Sequence, residues 1–516
     1  MTKKSAKAKR PVPTGAPDMK IAVQDFGPIA KGEIDLRPLT VFAGPSNTGK
    51  SWMATLIYVL EQCNQSGIFS GGSDYEENFL AKHADHKMPS NPQDWTDAVE
   101  SGRVITLKQG EIKAVYDTAC AEANNIIPKL KRYYGVSDIS QLINKNREKG
   151  KLSVTFNIGK IKYSFNKSLT TKKYSDSKIE EDLLQVSLPK KISLAGGPNY
   201  DKLPELLYRF NEAVNEHDDY LERKDEIHAM LCSYVCEVVI DELTSANLDN
   251  RQSQAFYLPA DRSGIMRTHS VLISALIRDA SRAGLRHGGF RLPLLSGVIG
   301  DFLEALLISA NDTRNQGKPD REGLSASLEG RILKGKVNSR KSESGYPNFE
   351  YQPEGWKDRL PLITASSMIS ELSPVVLFLR HLVEPGDTLI LEEPEAHLHP
   401  ASQKKLMEEI ANWVNNGIKV ILTTHSDWIL ESLSNIVARD ETATKKEQVS
   451  LNKKNVGVWV FDYADPDGSS KGSSIRKVNW DLDEGGYETG FYDVAANMHN
   501  DWAGAVNCLN NQGAKK

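Results

Sequence analysis

The chain has 516 residues, 26% of them charged, and a formal net charge of −4 at pH 7. Its length allows two or three domains with sizeable apolar cores, and the balanced charge excludes an overall basic excess of the kind that nucleic acid attracts. The sequence shows neither a signal peptide nor an apolar stretch of the ~20 residues needed to span a bilayer. Its five cysteines are scattered and odd in number, so we expect a soluble, cytoplasmic protein without a membrane partner.

The first forty residues predict a tail followed by strands. Residues 1–18 are basic, contain prolines and lack aromatic side chains, which predicts a disordered basic tail. Polar and apolar residues then alternate over 20–24 and over 33–36, as in strands with one buried face. The apolar run Leu39–Ala43 predicts a further strand that leads into a glycine loop.

That loop reads GPSNTGKS and matches the pattern G-x-x-x-x-G-K-[ST] of a phosphate-binding loop. The apolar run Trp52–Leu60 predicts the helix that must follow it. Backbone N–H groups of such a loop turn toward the β- and γ-phosphates, and the helix adds its N-terminal partial charge. Lys50 can reach these phosphates and Ser51 can offer its hydroxyl to Mg²⁺. The candidate cofactor-binding residues of the loop are Gly44, Asn47, Thr48, Gly49, Lys50 and Ser51.

The middle of the chain separates this loop from the second half of the expected site. We predict four parts: a tail at 1–18, the first part of a nucleotide-binding domain at 19–63, an inserted region at 64–250 and the rest of that domain at 251–516. Within the insertion we expect strands over 104–115, a hairpin over 154–165 and a helix over 203–243.

Two clusters of basic residues interrupt the balanced charge. They are Lys145, Arg147, Lys149, Lys151, Lys160, Lys162, Lys167, Lys172 and Lys173 in the first, and Arg331, Lys334, Lys336, Arg340 and Lys341 in the second. Such clusters can neutralise nucleic-acid phosphates. They can equally be the solvated face of a helix or hairpin, and the sequence leaves both interpretations open.

The second half of the chain predicts alternating strands and helices. A strand at 256–262 is followed by helices at 271–286 and 298–310, a polar loop at 311–321 and a hairpin over 324–351. Beyond residue 375 the order is helix, strand 388–392, helix 402–415, strand 418–423 and helix 426–434. This rhythm predicts a parallel sheet with helices packed on its faces.

Carboxylates and a histidine stand where two of these strands end. Glu392 and Glu393 follow an apolar strand, which suits a metal-side acid, Glu392, and a group that activates water, Glu393. His425 ends the next strand, where it can sense a γ-phosphate. Open α/β sheets place their ligands at this edge.

Four segments together carry a family resemblance: GPSNTGKS at 44–51, SSMISE at 366–371, LILEEPEAHLHP at 389–400 and ILTTHSD at 421–427. On these residues the chain resembles the ABC-type ATPases of the SMC/RecF/OLD group, in particular the compact bacterial branch without a nuclease domain. FYLPADRSG at 256–264 is similar to a segment of the same branch. The resemblance implies an α/β fold of the ABC type, with a mixed sheet flanked by helices and interrupted by a large α+β or helical insertion.

The resemblance also implies roles for individual residues. Lys50 and Ser51 would bind ATP and Mg²⁺, with Glu393 as the catalytic carboxylate and His425 as the switch histidine. Ser366 and Ser367 would cap the γ-phosphate of a partner's ATP, which implies a homodimer or higher oligomer with shared ATP sites. Residues 396–399 would cross that interface. Many relatives have glycine where this chain has Met368, so activation by the partner is expected to be slow or partner-dependent.

Two other groups of residues could bind metal. Asp462, Asp465 and Asp467 follow a predicted strand, but the Asp-Pro-Asp-Gly sequence also signals a turn, and we favour a hairpin and no nuclease centre. His397 and His399 are two residues apart, and we interpret them as structural and interface residues rather than ligands.

Three functions fit these patterns. The first is an ATP-hydrolysing sensor or scaffold that controls a separately encoded effector, a nuclease or toxin, in prokaryotic anti-phage defence. The second is a DNA-binding repair clamp like the RecF group, with the basic clusters on the duplex. The third is an assembly subunit that binds ATP with little turnover.

Overall fold

The computed structural model describes the following residues: 19–65, 105–110, 112–113, 126–143, 149–158, 161–170, 185–187, 190–194, 253–269, 271, 296–311, 319–341, 347–442, 448–463, 472–481, 486–487, 500 and 502–503. The predicted tail at 1–18, the predicted helix at 203–243 and nearly all of the predicted helix at 271–286 lie outside them. Within the described part, no helix combines the length and the apolar character needed to cross a membrane.

A mixed sheet dominates the described chain, and its eleven strands run in the order β7-β6-β5-β1-β2-β16-β15-β3-β14-β13-β9. The strands of this sheet are β1 (Met19–Phe26), β2 (Ile29–Asp35), β3 (Leu39–Ala43), β5 (Lys149–Ile158), β6 (Ile161–Thr170), β7 (Gln185–Ser187), β9 (Ala255–Leu258), β13 (Thr388–Glu392), β14 (Lys419–Thr424), β15 (Val456–Tyr463) and β16 (Ser473–Val478). Smaller sheets are formed by β4 (Ile105–Lys108) with β8 (Lys191–Leu194), by β10 (Gly335–Lys341), β11 (Pro347–Pro353) and β12 (Leu360–Pro361), and by β17 (Trp480–Asp481) with β18 (Gly486–Tyr487).

Helices cover the sheet. They are α1 (Lys50–Gln65), α2 (Ile126–Tyr134), α3 (Gly297–Asn311), α4 (Pro319–Leu328), α5 (Ser367–His381), α6 (Pro400–Asn415) and α7 (Asp427–Glu441). Strand residues alternate between two apolar cores, as the two-residue period of a strand requires. In β3, Phe42 enters the core shared with α1 and α2, whereas Leu39 and Val41 enter the core shared with α5, α6 and α7.

The parallel part of the sheet confirms the predicted alternation of strands and helices. Strands β9, β13, β14, β3 and β15 are parallel neighbours, and all five residues of β3 and of β13 are buried. Strands of this kind are buried on both faces because helices cover both sides of the sheet. The predicted α/β fold, a mixed sheet flanked by helices, is therefore confirmed.

The antiparallel part draws on the region predicted as an insertion. The expected hairpin exists as β5 and β6, and β5 pairs along β1 from Met19↔Phe156 to Gln24↔Lys151. Part of the range 64–250 thus extends the ATPase sheet itself. The domain boundaries at 63 and 251 stay predictions.

Four local predictions were wrong in part. The strand expected over 256–262 ends at Leu258 in β9, and the chain is helical from Arg262. Among the described residues of the range 104–115, β4 is the only strand, since residues 109–110 and 112–113 are helical. The polar loop expected to reach residue 321 ends earlier, because α4 begins at Pro319. The hairpin expected from Leu324 is shorter: α4 and a π-helical turn at Glu329–Leu333 come first, and only β10 and β11 form the hairpin.

Candidate nucleotide site

Three neighbouring parallel strands bring the predicted site together. Ala43 at the end of β3 pairs with Thr424 at the end of β14, and Glu392 at the end of β13 pairs with Thr423. The residues that follow, Gly44, His425 and Glu393, therefore leave the sheet side by side at its carboxyl edge, where open α/β sheets bind ligands.

The phosphate loop has the backbone that its sequence predicts. Gly44, Asn47 and Gly49 have positive φ angles of 134°, 62° and 96°. At Gly44 a Cβ atom would lie 2.3 Å from the carbonyl oxygen of Phe461, so both the φ angle and the space require glycine. A loop with alternating backbone twist of this kind turns its N–H groups toward one anion.

Lys50 lies across the loop and is only 5% exposed. Its Nζ donates to the carbonyl oxygens of Gly44, at 2.9 Å, and of Pro45, at 2.7 Å. Burial lowers the pKa of Lys50 to about 8, although the charges of Glu393 and Glu395 oppose this shift. The lysine thus fixes the loop and carries its positive charge into a poorly solvated place, where an anion gains most from it.

The C-terminal hairpin β15–β16 braces the same loop. The hydroxyl of Tyr463 donates to the carbonyl oxygen of Ser46 at 2.7 Å, and the hydroxyl of Ser473 donates to that of Thr48 at 2.5 Å. Neither residue was a sequence-based candidate, because nothing local to residues 463 or 473 signals a contact more than 400 positions away.

Glu392 is the last residue of β13 and is 8% exposed. Its Oε2 accepts the backbone N–H of Ala260, in the turn after β9, at 3.1 Å. The hydroxyl of Tyr257 also hydrogen-bonds this carboxylate. Its orientation is thus fixed by two neighbours, as is common for a carboxylate that binds a metal.

Glu393 and His425 contact each other. Nε2 of His425 lies 3.2 Å from Oε1 of Glu393, and Glu393 is about 39% exposed. The hydrogen bond from His425 lowers the pKa of Glu393, the charges of His425, Lys50 and Arg262 lower it further, and partial burial opposes them. Glu393 is therefore ionised at neutral pH, and its φ of 42° is a strained backbone of the kind that active sites hold in place.

Glu395 fixes the backbone at Thr424 and His425. Its Oε1 accepts the hydroxyl of Thr424 at 2.7 Å and the backbone N–H of His425 at 2.8 Å. Burial raises the pKa of Glu395, and these two hydrogen bonds oppose the rise. Sequence reasoning passed over this third carboxylate of Glu-Glu-Pro-Glu, although its place two residues beyond the acidic pair was a usable signal.

The signature segment starts helix α5. Ser366 is its N-cap, with a side chain that accepts the N–H of Ile369 at 3.4 Å, and Met368 packs against the apolar core. Arg267 braces this start: its guanidinium donates to the carbonyl oxygen of Ala365 at 2.9 Å and lies 3.4 Å from the hydroxyl of Ser367. The Ser366–Ser367 pair therefore presents a capped helix N-terminus, with an arginine beside it, at the protein surface.

The alternative metal groups gain no support. Asp462 lies 3.7 Å from Arg476 across the β15–β16 hairpin, and Asp465 and Asp467 lie outside the described residues. His399 is the N-cap of α6, with Nδ1 accepting the N–H of Ala401, as the structural interpretation predicts. The described residues contain no group of three or more potential metal ligands drawn from His, Cys, Asp and Glu.

A phosphate loop, a pair of strand-end carboxylates and a histidine on adjacent parallel strands are the parts of a P-loop ATPase site. The AAA ATPase domain model matches residues 19–430, most of the chain. The chain belongs to this AAA ATPase domain family and is an ATP-binding ATP hydrolase. The search of curated proteins gave no match.

Solved structures with a similar course of the chain are heads of SMC proteins. The Smc head bound to the C-winged helix domain of ScpA is 12% identical, with a TM-score of 0.38 over 90% of this chain and 98% of that one. The Smc head with an extended coiled coil, bound to the C-terminal domain of ScpA derived from Pyrococcus furiosus, is 11% identical (TM-score 0.34, 90% and 96% covered). The SMC head domain from Thermotoga maritima is 9% identical (0.32, 89% and 98%). Similarity at this level bears on neither activity nor partners.

Proposed function

We propose that the chain hydrolyses ATP at the edge formed by β3, β14 and β13. The phosphates lie on the loop 44–51, with Lys50 against the β- and γ-oxygens. Glu393 accepts a proton from the attacking water. The water oxygen bonds to the γ-phosphorus, and the bond from the γ-phosphorus to the β–γ bridging oxygen breaks. His425 orients Glu393 and faces the γ-phosphate. The observation that carries this proposal is the 3.2 Å contact of His425 with the ionised Glu393 beside the phosphate loop.

Mg²⁺ fits the residues at this edge. The hydroxyl of exposed Ser51 and the carboxylate of Glu392 are hard oxygen donors, which Mg²⁺ prefers together with water and nucleotide phosphates. When bound, the ion would neutralise charge that develops on the phosphate oxygens.

We further propose that two copies of the chain complete each other's sites. Ser366 and Ser367 form a capped helix N-terminus with Arg267 beside it, a place suited to a γ-phosphate supplied from outside. One phosphate loop and one such segment per chain then give two composite sites in a symmetric pair.

The ATP cycle would govern a separately encoded effector, a nuclease or toxin, in anti-phage defence in the prokaryotic cytoplasm. A small nuclease or toxin reading frame beside the gene would support this role, whereas replication or repair genes there would contradict it.

The direct test of the site is Glu393→Gln. We expect kcat to fall about 100-fold or more, because the proton acceptor is lost, while ATP affinity by calorimetry stays within about threefold. Glu441→Gln is the matched control, since Glu441 pairs with Lys453 at the far end of α7 from His425. Equal turnover of Glu393→Gln and the wild type would contradict hydrolysis at this carboxylate and favour a subunit that binds ATP with little turnover.

One observation favours the DNA clamp as a second candidate. Directly paired residues of antiparallel strands share a face, and the pairs Lys151↔Gln24 and Gln24↔Lys31 align two lysines across three strands. The exposed lysines on this outer face are Lys20, Lys31, Lys149, Lys151 and Lys162. The face also carries Glu33 and Asp35, and Asp35 is paired with Arg37 and Lys477. The second basic cluster is a weaker candidate, because Arg331 is paired with Glu408 and Glu409.

Salt dependence separates the two candidates. If duplex DNA lies on this face, its affinity should fall steeply between 50 and 200 mM salt, by about one logarithmic unit per unit of log salt for each phosphate contacted. The double substitution of Lys149 and Lys151 by Gln should lower that slope by about two. No binding at low salt would rule out the clamp and leave the ATPase proposal untouched.

A further inference from the structure

An arginine lies completely buried beneath the catalytic edge. Arg262 follows β9 in the turn Pro259-Ala-Asp-Arg262 and has an exposure of 0%. Charged side chains are almost never fully buried unless every donor has a partner. The contacts of Arg262 therefore indicate its role in the structure.

All five N–H groups of its guanidinium have an acceptor. Nη1 donates to the carbonyl oxygens of Glu392 at 2.5 Å and Pro259 at 2.9 Å, and Nη2 donates to that of Glu393 at 3.2 Å. Nε donates to the carbonyl oxygen of Glu371 at 3.2 Å, and Nη2 also pairs with the Glu371 carboxylate. Burial raises the pKa of Glu371 to about 7, and the charge of Arg262 opposes the rise.

Apart from Pro259, which lies in the same turn as Arg262, these acceptors lie in helix α5 and at the end of strand β13. Glu371 lies early in α5, the helix that Ser366 and Ser367 begin. Glu392 is the last residue of β13, Glu393 follows it, and the two carry the carboxylates of the candidate site. Arg262 thus links the backbone of the signature helix to the backbone of both acidic residues.

The link holds Glu393 in its strained conformation. Its carbonyl oxygen is bound by Arg262, and its N–H donates to the carbonyl oxygen of Thr423 at 3.0 Å. With both backbone groups fixed at a φ of 42°, a shift of α5 that moves Glu371 pulls on Arg262 and so on Glu393.

We propose that Arg262 is a positioning residue that couples the place of the signature helix α5 to the orientation of the Glu393 carboxylate. This inference rests on the proposed role of Glu393. It gives the signature segment a route to the proton acceptor within its own chain, through Glu371 and Arg262. A lysine cannot replace the arginine, because an ammonium has three donors and no planar fork.

The test compares Arg262→Lys and Glu371→Gln in the full chain with MgATP. A displacement of about 1 Å at a catalytic group can cost about 100-fold in rate. We therefore expect kcat to fall about 10- to 100-fold in both variants, with ATP affinity by calorimetry unchanged within about threefold. Glu329→Gln is the matched control. Buried Glu329 pairs with Arg380, which lies at the end of α5 opposite to Glu371. This substitution should leave kcat near the wild-type value.

A double-mutant cycle separates coupling from general damage. If Arg262 and Glu371 act through Glu393, neither substitution lowers the residual rate of the Glu393→Gln variant further. If Arg262→Lys does not fold, the nearly isosteric Glu371→Gln carries the test alone.

The outcomes distinguish this inference from the proposed function. Wild-type kcat in folded Arg262→Lys and Glu371→Gln would overturn the coupling while Glu393→Gln still loses activity. Equal losses of kcat and ATP affinity, or full additivity with Glu393→Gln, would also overturn it, because the pair would then be merely structural. An unaffected Glu393→Gln would overturn the proposed function itself.

Discussion

At the scale of single residues, neighbouring charges and burial act in opposite directions on the pKa of Lys50 and on that of Glu393. Lys50 and Glu393 attract, but the lysine is nearly buried and the glutamate is more than a third exposed. Desolvation therefore dominates at Lys50 and lowers its pKa, whereas the hydrogen bond from His425 dominates at Glu393 and lowers its pKa. The result is a permanent carboxylate beside a cation that can lose its proton.

This difference predicts how ATP affinity depends on pH. The pKa of Lys50 is about 8 in the free protein, and bound phosphates would raise it, so ATP binding takes up a proton above pH 8. Affinity should be constant below pH 7.5 and then fall as pH rises, by up to about tenfold per pH unit. Calorimetry in buffers of different ionisation enthalpy would measure the proton taken up.

The Lys50→Arg variant is the control for this prediction. A guanidinium stays protonated across this range, so its ATP affinity should not depend on pH between 7 and 9.5, whatever its absolute value. A wild-type affinity that is equally flat would contradict the assigned environment of Lys50.

Residues of the site could be predicted from sequence where their signal is local. Gly44, Lys50 and Ser51 stand within one eight-residue pattern, and Glu393 and His425 each directly follow a strand. Arg262 and Arg267 could not be predicted, because their contacts are distant in sequence. Arg262 contacts Glu371, 109 positions away, and Arg267 contacts Ser367, 100 positions away.

At the scale of elements, the hairpin β15–β16 is part of the phosphate site although it lies beyond the matched residues 19–430. Its Ser473 is 1% exposed and donates to the carbonyl of Thr48. Its Tyr463 donates to the carbonyl of Ser46. Both bonds fix carbonyl oxygens of the loop and therefore restrict its backbone.

Removing one of these bonds should loosen the loop without unfolding the sheet. We expect Ser473→Ala to weaken ATP binding by about two- to tenfold, the worth of about one hydrogen bond, with kcat little changed. Calorimetry and steady-state kinetics would check this. Ser450→Ala is the control, because the Ser450 hydroxyl bonds Asp440 beside the far end of α7; an equal loss in both variants would contradict a specific brace.

Elements with a regular period were predicted, and the misses have identifiable causes. The helical pattern Leu324, Ser327, Leu328, Arg331 was hidden in a range read as hairpin, and contacts with another helix stabilise it: Glu409 of α6 accepts bonds from both Ser327 and Arg331. Tertiary contacts of this kind override local preference. Likewise, the β5–β6 hairpin could be predicted from the sequence, but its pairing with β1 could not.

At the scale of the whole molecule, the loop at 44–51 and the carboxylates at 392–393 are far apart in sequence. The order and pairing of the strands in the sheet bring them together. The strands that carry them are one strand apart, on either side of β14. By contrast, the exposed Ser366 caps the start of α5, where we propose that a γ-phosphate binds. The central claim is that this phosphate comes from a second copy.

Mixing two defective variants tests that claim most directly. Lys50→Ala removes the phosphate-loop charge and Ser366→Arg blocks the signature segment, so each variant alone should be nearly inactive. In an equal mixture half of the pairs are mixed, and each mixed pair holds one intact composite site of two. The account predicts recovery of about a quarter of wild-type ATP turnover on mixing. Turnover that stays at the level of the separate variants, under conditions where the mixed pair forms, would contradict a site shared between two chains.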